Sequence, residues 1–204
     1  MDPKAHWDNV YRSTPLTKVS WFQPHAIRSL DLIRRVCPTT CGPLIDVGGG
    51  TSTLVDDLLD AGYQDLTVLD ISAVALEEAR ERLGGRAGLV RWLEADILNA
   101  PLRRAAYSVW HDRAVFHFLT EPHDRSRYVA KVREAVRPGG FVLVATFAQE
   151  GPPRCSGLEV ARYSPETLHA EFGAGFRLLS SEHEEHVTPR GVHQAFIYCL
   201  CRMS

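Results

Sequence analysis

From Leu44 onward, short apolar runs alternate with amphipathic ones, and the first of them, Leu44–Val47, ends in three consecutive glycines, Gly48-Gly49-Gly50. Apolar runs of four to eight residues bounded by turn residues read as buried strands, and stretches with a 3.6-residue apolar period read as helices. Leu54, Val55, Leu58 and Leu59 define a helix capped by Ser52 or Thr51 and stopped at Gly62. Leu66–Leu69 is a second strand. Ser72 caps the next helix, which carries Val74, Leu76, Ala79 and Leu83 and ends at Gly84-Gly85. Further strands are predicted at Leu89–Leu93, from about Tyr107 to His111, and at Phe141–Phe147 after the stop Pro138-Gly139-Gly140. Helices are predicted over Arg125–Val136 and near Pro165–Phe172, and two last strands flank Thr188-Pro189-Arg190-Gly191. Strands joined through helices must run parallel, so the expected class is α/β, with helices on both faces of a mostly parallel sheet. The closing hairpin adds an antiparallel edge strand.

A chain of 204 residues suits one domain. Its first 40 residues read as an aromatic-rich leading segment, with Trp7, Tyr11, Trp21 and Phe22, and then a helix through Ile27, Leu30, Ile33 and Val36 that Pro38 stops. Residues 41–204 form the core. The net charge of −2 provides no global positive field for nucleic acid or an anionic membrane. No run reaches the length of a membrane span, and Met1-Asp2-Pro3-Lys4 opens no signal-peptide core, so a cytoplasmic location is expected. Five cysteines (Cys37, Cys41, Cys155, Cys199 and Cys201) cannot all pair, and a reduced set is expected.

Chemistry is concentrated at the strand ends. In a doubly wound sheet, ligands bind beyond the carboxyl ends of the strands where strand order reverses, which is where Asp46-Val47-Gly48-Gly49-Gly50-Thr51 leaves the first strand. Glycines let backbone N–H groups approach a ligand closely, and a helix N-terminus favours a carboxylate. The G-x-G-x-x-G spacing of dinucleotide loops fails at Thr53, and Asp46 repels a pyrophosphate but attracts an ammonium or sulfonium. Asp70, 24 residues after Asp46, is placed to accept from a ribose diol. Asp96, after the third strand, is placed to accept from an adenine amino group, with Ile71 and Ile97 as apolar covers. Three acids at three successive strand ends are too many to assign to capping.

At these residues the chain resembles class I S-adenosylmethionine-dependent methyltransferases. That resemblance implies a Rossmann-like seven-stranded sheet of order 3-2-1-4-5-7-6 and S-adenosylmethionine as cofactor. It also implies that Gly48–Gly50 hold the methionine part, Asp70 the ribose, and Asp96 with Ile97 the adenine. The stretches His6-Trp7-Asp8-x-x-Tyr11, Ser20-Trp21-Phe22 and Leu58-Leu59-Asp60-Ala61-Gly62-Tyr63 are similar to the group that includes elongation-factor and citrate synthase lysine methyltransferases. There the leading aromatics fold over the cofactor, which gives Trp7, Tyr11 and Trp21 that role, with Arg113 as a further contact. Asp112-Arg113-Ala114-Val115-Phe116-His117-Phe118 and Cys155-Ser156-Gly157-Leu158 look more like a bacterial branch.

Methyl transfer from a sulfonium is an in-line displacement that needs positioning and exclusion of water, and a protein base only where the acceptor arrives protonated. The catalytic candidates are Asp112, to orient an amine or take a proton, His117, to titrate near neutrality, and Cys155, whose thiol Arg154 would acidify. Glu182-His183-Glu184-Glu185-His186 reads as a solvated strand edge. His183 and His186 fall on opposite faces of a strand and cannot share an ion, so no metal is expected. The favoured function is methyl transfer to a small-molecule thiol, amine, hydroxyl or carboxylate. A protein lysine acceptor, which would need an open acidic trough, is the alternative, followed by a non-catalytic cofactor-binding regulator. Oligomeric state stays open.

Overall fold

The computed structural model describes residues 2–38 and 42–204. In chain order it contains α1 (Pro3–Ser13), α2 (Ile27–Val36), β1 (Leu44–Val47), α3 (Leu54–Asp60), β2 (Leu66–Asp70), α4 (Ala73–Leu83) and β3 (Val90–Glu94). There follow β4 (Tyr107–Arg113), α5 (Pro122–Ala135), β5 (Val136–Phe147), β6 (Arg154–Cys155), β7 (Leu158–Glu159), α6 (Pro165–Phe172), β8 (Phe176–Val187) and β9 (His193–Met203). The main sheet has seven strands in the order β3-β2-β1-β4-β5-β9-β8, while β6 and β7 pair only with each other. Counting sheet strands alone, this is the order expected from the sequence. β1 pairs in parallel with β2 and β4, β2 with β3, and β4 with β5; β9 is antiparallel to β5 and β8.

Alternation along the central strands splits the core into two layers, as successive side chains must point to opposite faces. Ile45, Val47, Trp110, Val142 and Val144 pack with Tyr128 and Val132 of α5 and Leu168 and Phe172 of α6. Leu44, Val68, Val109 and Leu143 pack with Leu32 and Ile33 of α2, Leu54 and Leu58 of α3 and Leu76 of α4. No helix among the described residues is long and apolar enough to cross a membrane.

Four departures from the sequence reading have local causes. The leading segment holds a helix, α1, started by Asp2, whose carboxylate accepts from the Lys4 amide at 3.0 Å, with Pro3 in the first turn. β5 begins at Val136, because its register with β4 jumps between Tyr107↔Val136 and Val109↔Phe141 and Pro138-Gly139-Gly140 fill the extra length. Cys155, Cys199 and Cys201 are free and buried, but Cys37 is disulfide-bonded, which corrects the expected fully reduced set: an odd count still allows one bridge. Cys41 lies outside the described residues.

The fourth concerns β8, which is solvated on one face only. From Glu182 onward its odd-numbered residues are exposed and its even-numbered residues face the leading segment. Glu182 pairs with Arg28 and Arg35 of α2, Glu184 accepts from Gln23 at 3.3 Å, and His186 meets the Ser20 carbonyl at 2.7 Å. The last third of the chain thereby fastens the first.

Candidate functional site

The glycine turn is shaped by contact. Gly48 has φ +65° and a Cβ there would lie 2.0 Å from the Val115 side chain, while a Cβ on Gly49 would lie 2.6 Å from Asp46 Oδ2. The amides of Gly48 and Gly49 both donate to the Leu69 carbonyl, at 2.7 and 3.2 Å. These two amides therefore do not face a ligand as expected, and the glycines serve by lacking side chains. Arg82 of α4 braces the turn, donating to the carbonyls of Thr51 and Ser52 at 2.7 Å each and pairing with Asp56. Asp56 and Asp57 occupy the first turn of α3, so that helix end already has its anions. No sequence signal identified Arg82.

The three strand-tip carboxylates each keep binding capacity. Asp46 Oδ1 is 2.7 Å from His111 Nδ1, whereas Oδ2 is buried and unpartnered. Asp70 Oδ1 accepts from the Ser72 amide at 2.8 Å, and its other oxygen faces Gly50, 2.8 Å from where a Cβ would stand. Burial pushes the Asp70 carboxyl up to about 7, only partly offset by that amide. Asp96 accepts from the Leu98 amide at 2.9 Å and the Asn99 side chain at 2.8 Å, a turn that orients it toward the cavity it lines.

Aromatic rings form the roof. Trp7 and Tyr11 lie one turn apart on α1, and both meet Trp21, at ring-centre distances of 5.9 and 6.0 Å. Trp7 also packs edge-on against Phe118 at 5.1 Å. Asp8, on the same helix, accepts from the Ser72 hydroxyl at 2.7 Å and so pins α1 to the turn that holds Asp70. That tether went unread in the sequence, although Asp8 lies inside the leading aromatic motif.

Beneath the roof is a cavity of about 340 Å³. Trp7, Tyr11, Trp21, Gly48, Asp70, Ile71, Asp96, Ile97, Arg113 and Cys155 of the expected residues line it. A second recess of about 40 Å³ shares Trp21, Gly48 and Arg113 with it and is lined also by Asp46, Gly49, Thr51 and His111. Gly50 lines neither, standing behind Asp70 and the Tyr11 hydroxyl. Arg113 is held by Tyr198, whose hydroxyl accepts from Nε at 2.9 Å, by Glu184 at 3.5 Å, and by the Phe196 ring 4.3 Å below.

The catalytic candidates are placed otherwise than expected. Asp112 is fully buried and lines neither cavity; it accepts from the amides of Val115 and Phe116 and from Tyr128, at 2.8, 3.1 and 2.5 Å. Burial lifts its carboxyl to about 6. Its acceptor capacity goes to shaping the turn after β4. His117 is also fully buried and away from the cavity wall; burial and the Arg113 charge lower its pKa to about 3, so it is neutral rather than titrating near pH 7. Cys155 does line the cavity, but burial raises its thiol pKa, and Arg154 turns outward to Glu159. The expected acidification is absent. Gln194, not singled out from the sequence, lines the same cavity, and its Oε1 is buried without a partner.

The smaller recess holds two unpartnered buried oxygens, Asp46 Oδ2 and Thr51 Oγ1, beside Arg113, whose Nη2 is engaged by Glu184 at 3.5 Å. An anion, a hydroxyl and a cation at one spot fit a zwitterionic amino-acid head, since each unmade hydrogen bond of a buried polar group is costly until a ligand supplies it. With Asp70 and Asp96 in the adjoining cavity, the residues present fit an adenosyl amino acid.

Residues 44–140 match a family model described as a methyltransferase domain. The mouse protein named eEF1A lysine and N-terminal methyltransferase is 25% identical over 150 residues, covering 71% of this chain but 21% of its own length. A ubiquinone/menaquinone biosynthesis C-methyltransferase of Roseobacter denitrificans is 29% identical over 117 residues, 56% of this chain and 46% of that protein. The chain thus spans less than half the length of these relatives. Among solved structures, an S-adenosylmethionine-dependent methyltransferase from Anabaena variabilis superposes with TM-score 0.76 at 16% identity, covering 100% of this chain and 96% of that one. A structure reported for the conversion of a disulfide bond into a thioacetal during echinomycin biosynthesis gives TM-score 0.76 at 21% identity, over 98% and 92%.

Proposed function

Because residues 44–140 match a methyltransferase domain and the sheet has the expected order, we propose that the chain is a class I S-adenosylmethionine-dependent methyltransferase and that it methylates a small-molecule nucleophile seated between the α1 roof and the β6–β7 hairpin. S-adenosylmethionine, when bound, supplies an electrophilic methyl group on a cationic sulfur, and the bonding pair returns to that sulfur as the acceptor bond forms. In this reading Asp46, Thr51 and Arg113 hold the amino-acid head, Asp70 the ribose hydroxyls, and Asp96 with Ile71 and Ile97 the adenine. Trp7, Tyr11 and Trp21 exclude water above them.

The observation that carries a small acceptor is the wall beyond β4 and β5. Trp21, Phe118, Phe147, Leu158 and Phe196 make it apolar, and Arg113 and Gln194 are its hydrogen-bonding groups beside the neutral Cys155 thiol. The cavity's carboxylates, Asp70, Asp96 and Asp124, come from the tips of β2 and β3 and the start of α5. None of the residues that line this wall is a carboxylate, so a lysine ammonium entering from the acceptor side would meet no acidic trough. Gln194 Oε1 accepts a hydrogen bond from the acceptor in this reading, and Asp112 and His117 stay structural. The acceptor then brings its own lone pair or loses its proton to solvent. Protein lysine methylation is the second reading, supported by the similarity to the eEF1A relative.

A homocysteine-coupled turnover screen across thiols, amines, phenols, carboxylates and lysine-containing proteins tests this. Turnover with small acceptors supports the proposal. Turnover confined to protein lysines replaces it with the second reading, and no turnover by protein that binds the donor would make it a regulator.

A further inference from the structure

His111 stands beside Asp46 in the parallel register of β1 and β4 and is 2% exposed. Its Nδ1 is 2.7 Å from Asp46 Oδ1 and its Nε2 is 2.8 Å from Ser29 Oγ on α2. The order Ser–His–Asp matches that of hydrolytic sites, but Ser29 is 1% exposed and lines neither cavity, so no substrate reaches its hydroxyl. What the row of groups does reach is Asp46 Oδ2, the unpartnered oxygen facing the small recess.

We propose that His111 is a positioning residue: with Ser29 behind it, it fixes the Asp46 carboxylate so that Oδ2 is presented to the α-ammonium of the methyl donor. The proton logic is local. The Asp46 carboxylate can only accept, so it requires hydrogen on Nδ1, and the Ser29 hydroxyl, able to donate or accept, completes the imidazole at Nε2. One carboxylate oxygen is then spent and the group cannot rotate without breaking a buried hydrogen bond. Ser29 sits on α2, whose Arg28 and Arg35 are tied to Glu182 of β8, so the helix that backs the imidazole is itself fixed in place. This inference rests on the cofactor assignment above and adds to it how one carboxylate is aimed.

Binding, not turnover, separates the two. S-adenosylhomocysteine carries the ammonium, and 5′-methylthioadenosine has the same nucleoside without it. Calorimetry on His111→Leu is expected to show affinity for S-adenosylhomocysteine reduced about tenfold, the scale of one charge-assisted hydrogen bond, with 5′-methylthioadenosine changed less than about twofold. His111→Gln, whose amide N–H can still reach Asp46, is expected to recover most of the loss. Ser29→Ala is expected to give a smaller loss, about threefold, again confined to the ammonium-bearing ligand, and serves if the leucine variant does not fold. Equal weakening of both ligands, or of neither, in a folded variant overturns the positioning role while leaving the cofactor assignment intact. Wild-type protein that binds neither ligand overturns both.

Discussion

Four aspartates end or follow the first four strands of the sheet, and they divide by how their oxygens are used. In the β1–β2–β3 half, Asp46 keeps a buried oxygen without a partner, Asp70 commits one oxygen to a backbone amide, and Asp96 combines its turn bonds with a place on the cavity wall. In the β4–β5 half, Asp112 is saturated by Tyr128 and two amides and faces no cavity. Residue type and topological position are shared, so neither distinguishes a binding carboxylate from a structural one. The remaining hydrogen-bonding capacity does. The same contrast holds for charge: the first half presents Asp70 and Asp96 to the cavity, while the second presents apolar rings with Arg113 and Gln194.

The sharpest way to break this comparison is to exchange the two outcomes. Asp70→Ala is expected to weaken S-adenosylhomocysteine binding about a hundredfold by calorimetry, the scale of two hydrogen bonds to a charged acceptor, with a melting temperature lowered by only about 3 °C for the one buried amide, that of Ser72, left without its acceptor. Asp112→Ala is expected to do the reverse. Three buried donors lose their acceptor, which costs about 3 kcal/mol and lowers the melting temperature by roughly 10 °C, while affinity per folded molecule is retained. Loss of affinity without loss of stability at Asp112 would return it to the binding site.

The pH dependence provides a further separation. Burial raises the Asp70 carboxyl to about 7, and in the proposed reading ribose hydroxyls donate to its ionised form, so donor binding is expected to release a proton. Affinity is expected to rise about tenfold per pH unit up to pH 7 and then level off, and Asp70→Asn is expected to flatten the profile. The ligand-free protein follows the opposite sign. Between an ordinary carboxyl value near 4 and the folded value near 7, the folded state binds a proton that the unfolded state does not, so this group's contribution to stability falls as pH rises through that window. Asp112, near 6, acts in the same direction over a narrower range.

Gln194→Leu carries a smaller expected effect, a KM for the acceptor raised about fivefold with donor affinity unchanged, since one neutral hydrogen bond is removed at the acceptor wall. Smallest is Glu182→Gln, which loosens two partly exposed arginines and is expected to cost about 1 kcal/mol of stability in a urea titration.

Sheet order, the strand-tip acids and the covering aromatics were legible because each rests on local pattern: apolar runs, a glycine turn at a strand end, and acids at spaced intervals. α1 was legible too, in Asp2-Pro3, but its short amphipathic stretch was read only for its rings. The assignments that failed depended on neighbours distant in sequence. Cys155 was read against adjacent Arg154, yet burial sets its thiol and Arg154 leaves for Glu159. His117 was read at its free-solution value, and complete burial removes that option. Arg82 and Asp8 gave no signal because the groups they hold, the Thr51–Ser52 turn and Ser72, lie on other elements, and Gln194 gave none because its place on the cavity wall follows from the fold. The charged run on β8 read as solvated because alternation states which residues share a face, not what that face meets.

Fastening the roof to β8 has a consequence for folding order. Ser20, Gln23, Arg28 and Arg35 emerge early in synthesis, and their partners on β8 emerge more than a hundred residues later. A nascent chain stopped after β5 has its acidic strand tips in place and α1 pinned through Asp8 to Ser72, but lacks the β8 partners of Ser20, Gln23, Arg28 and Arg35. Loop closure over such a separation is entropically slow, so the earliest-made segment is expected to be among the last to settle.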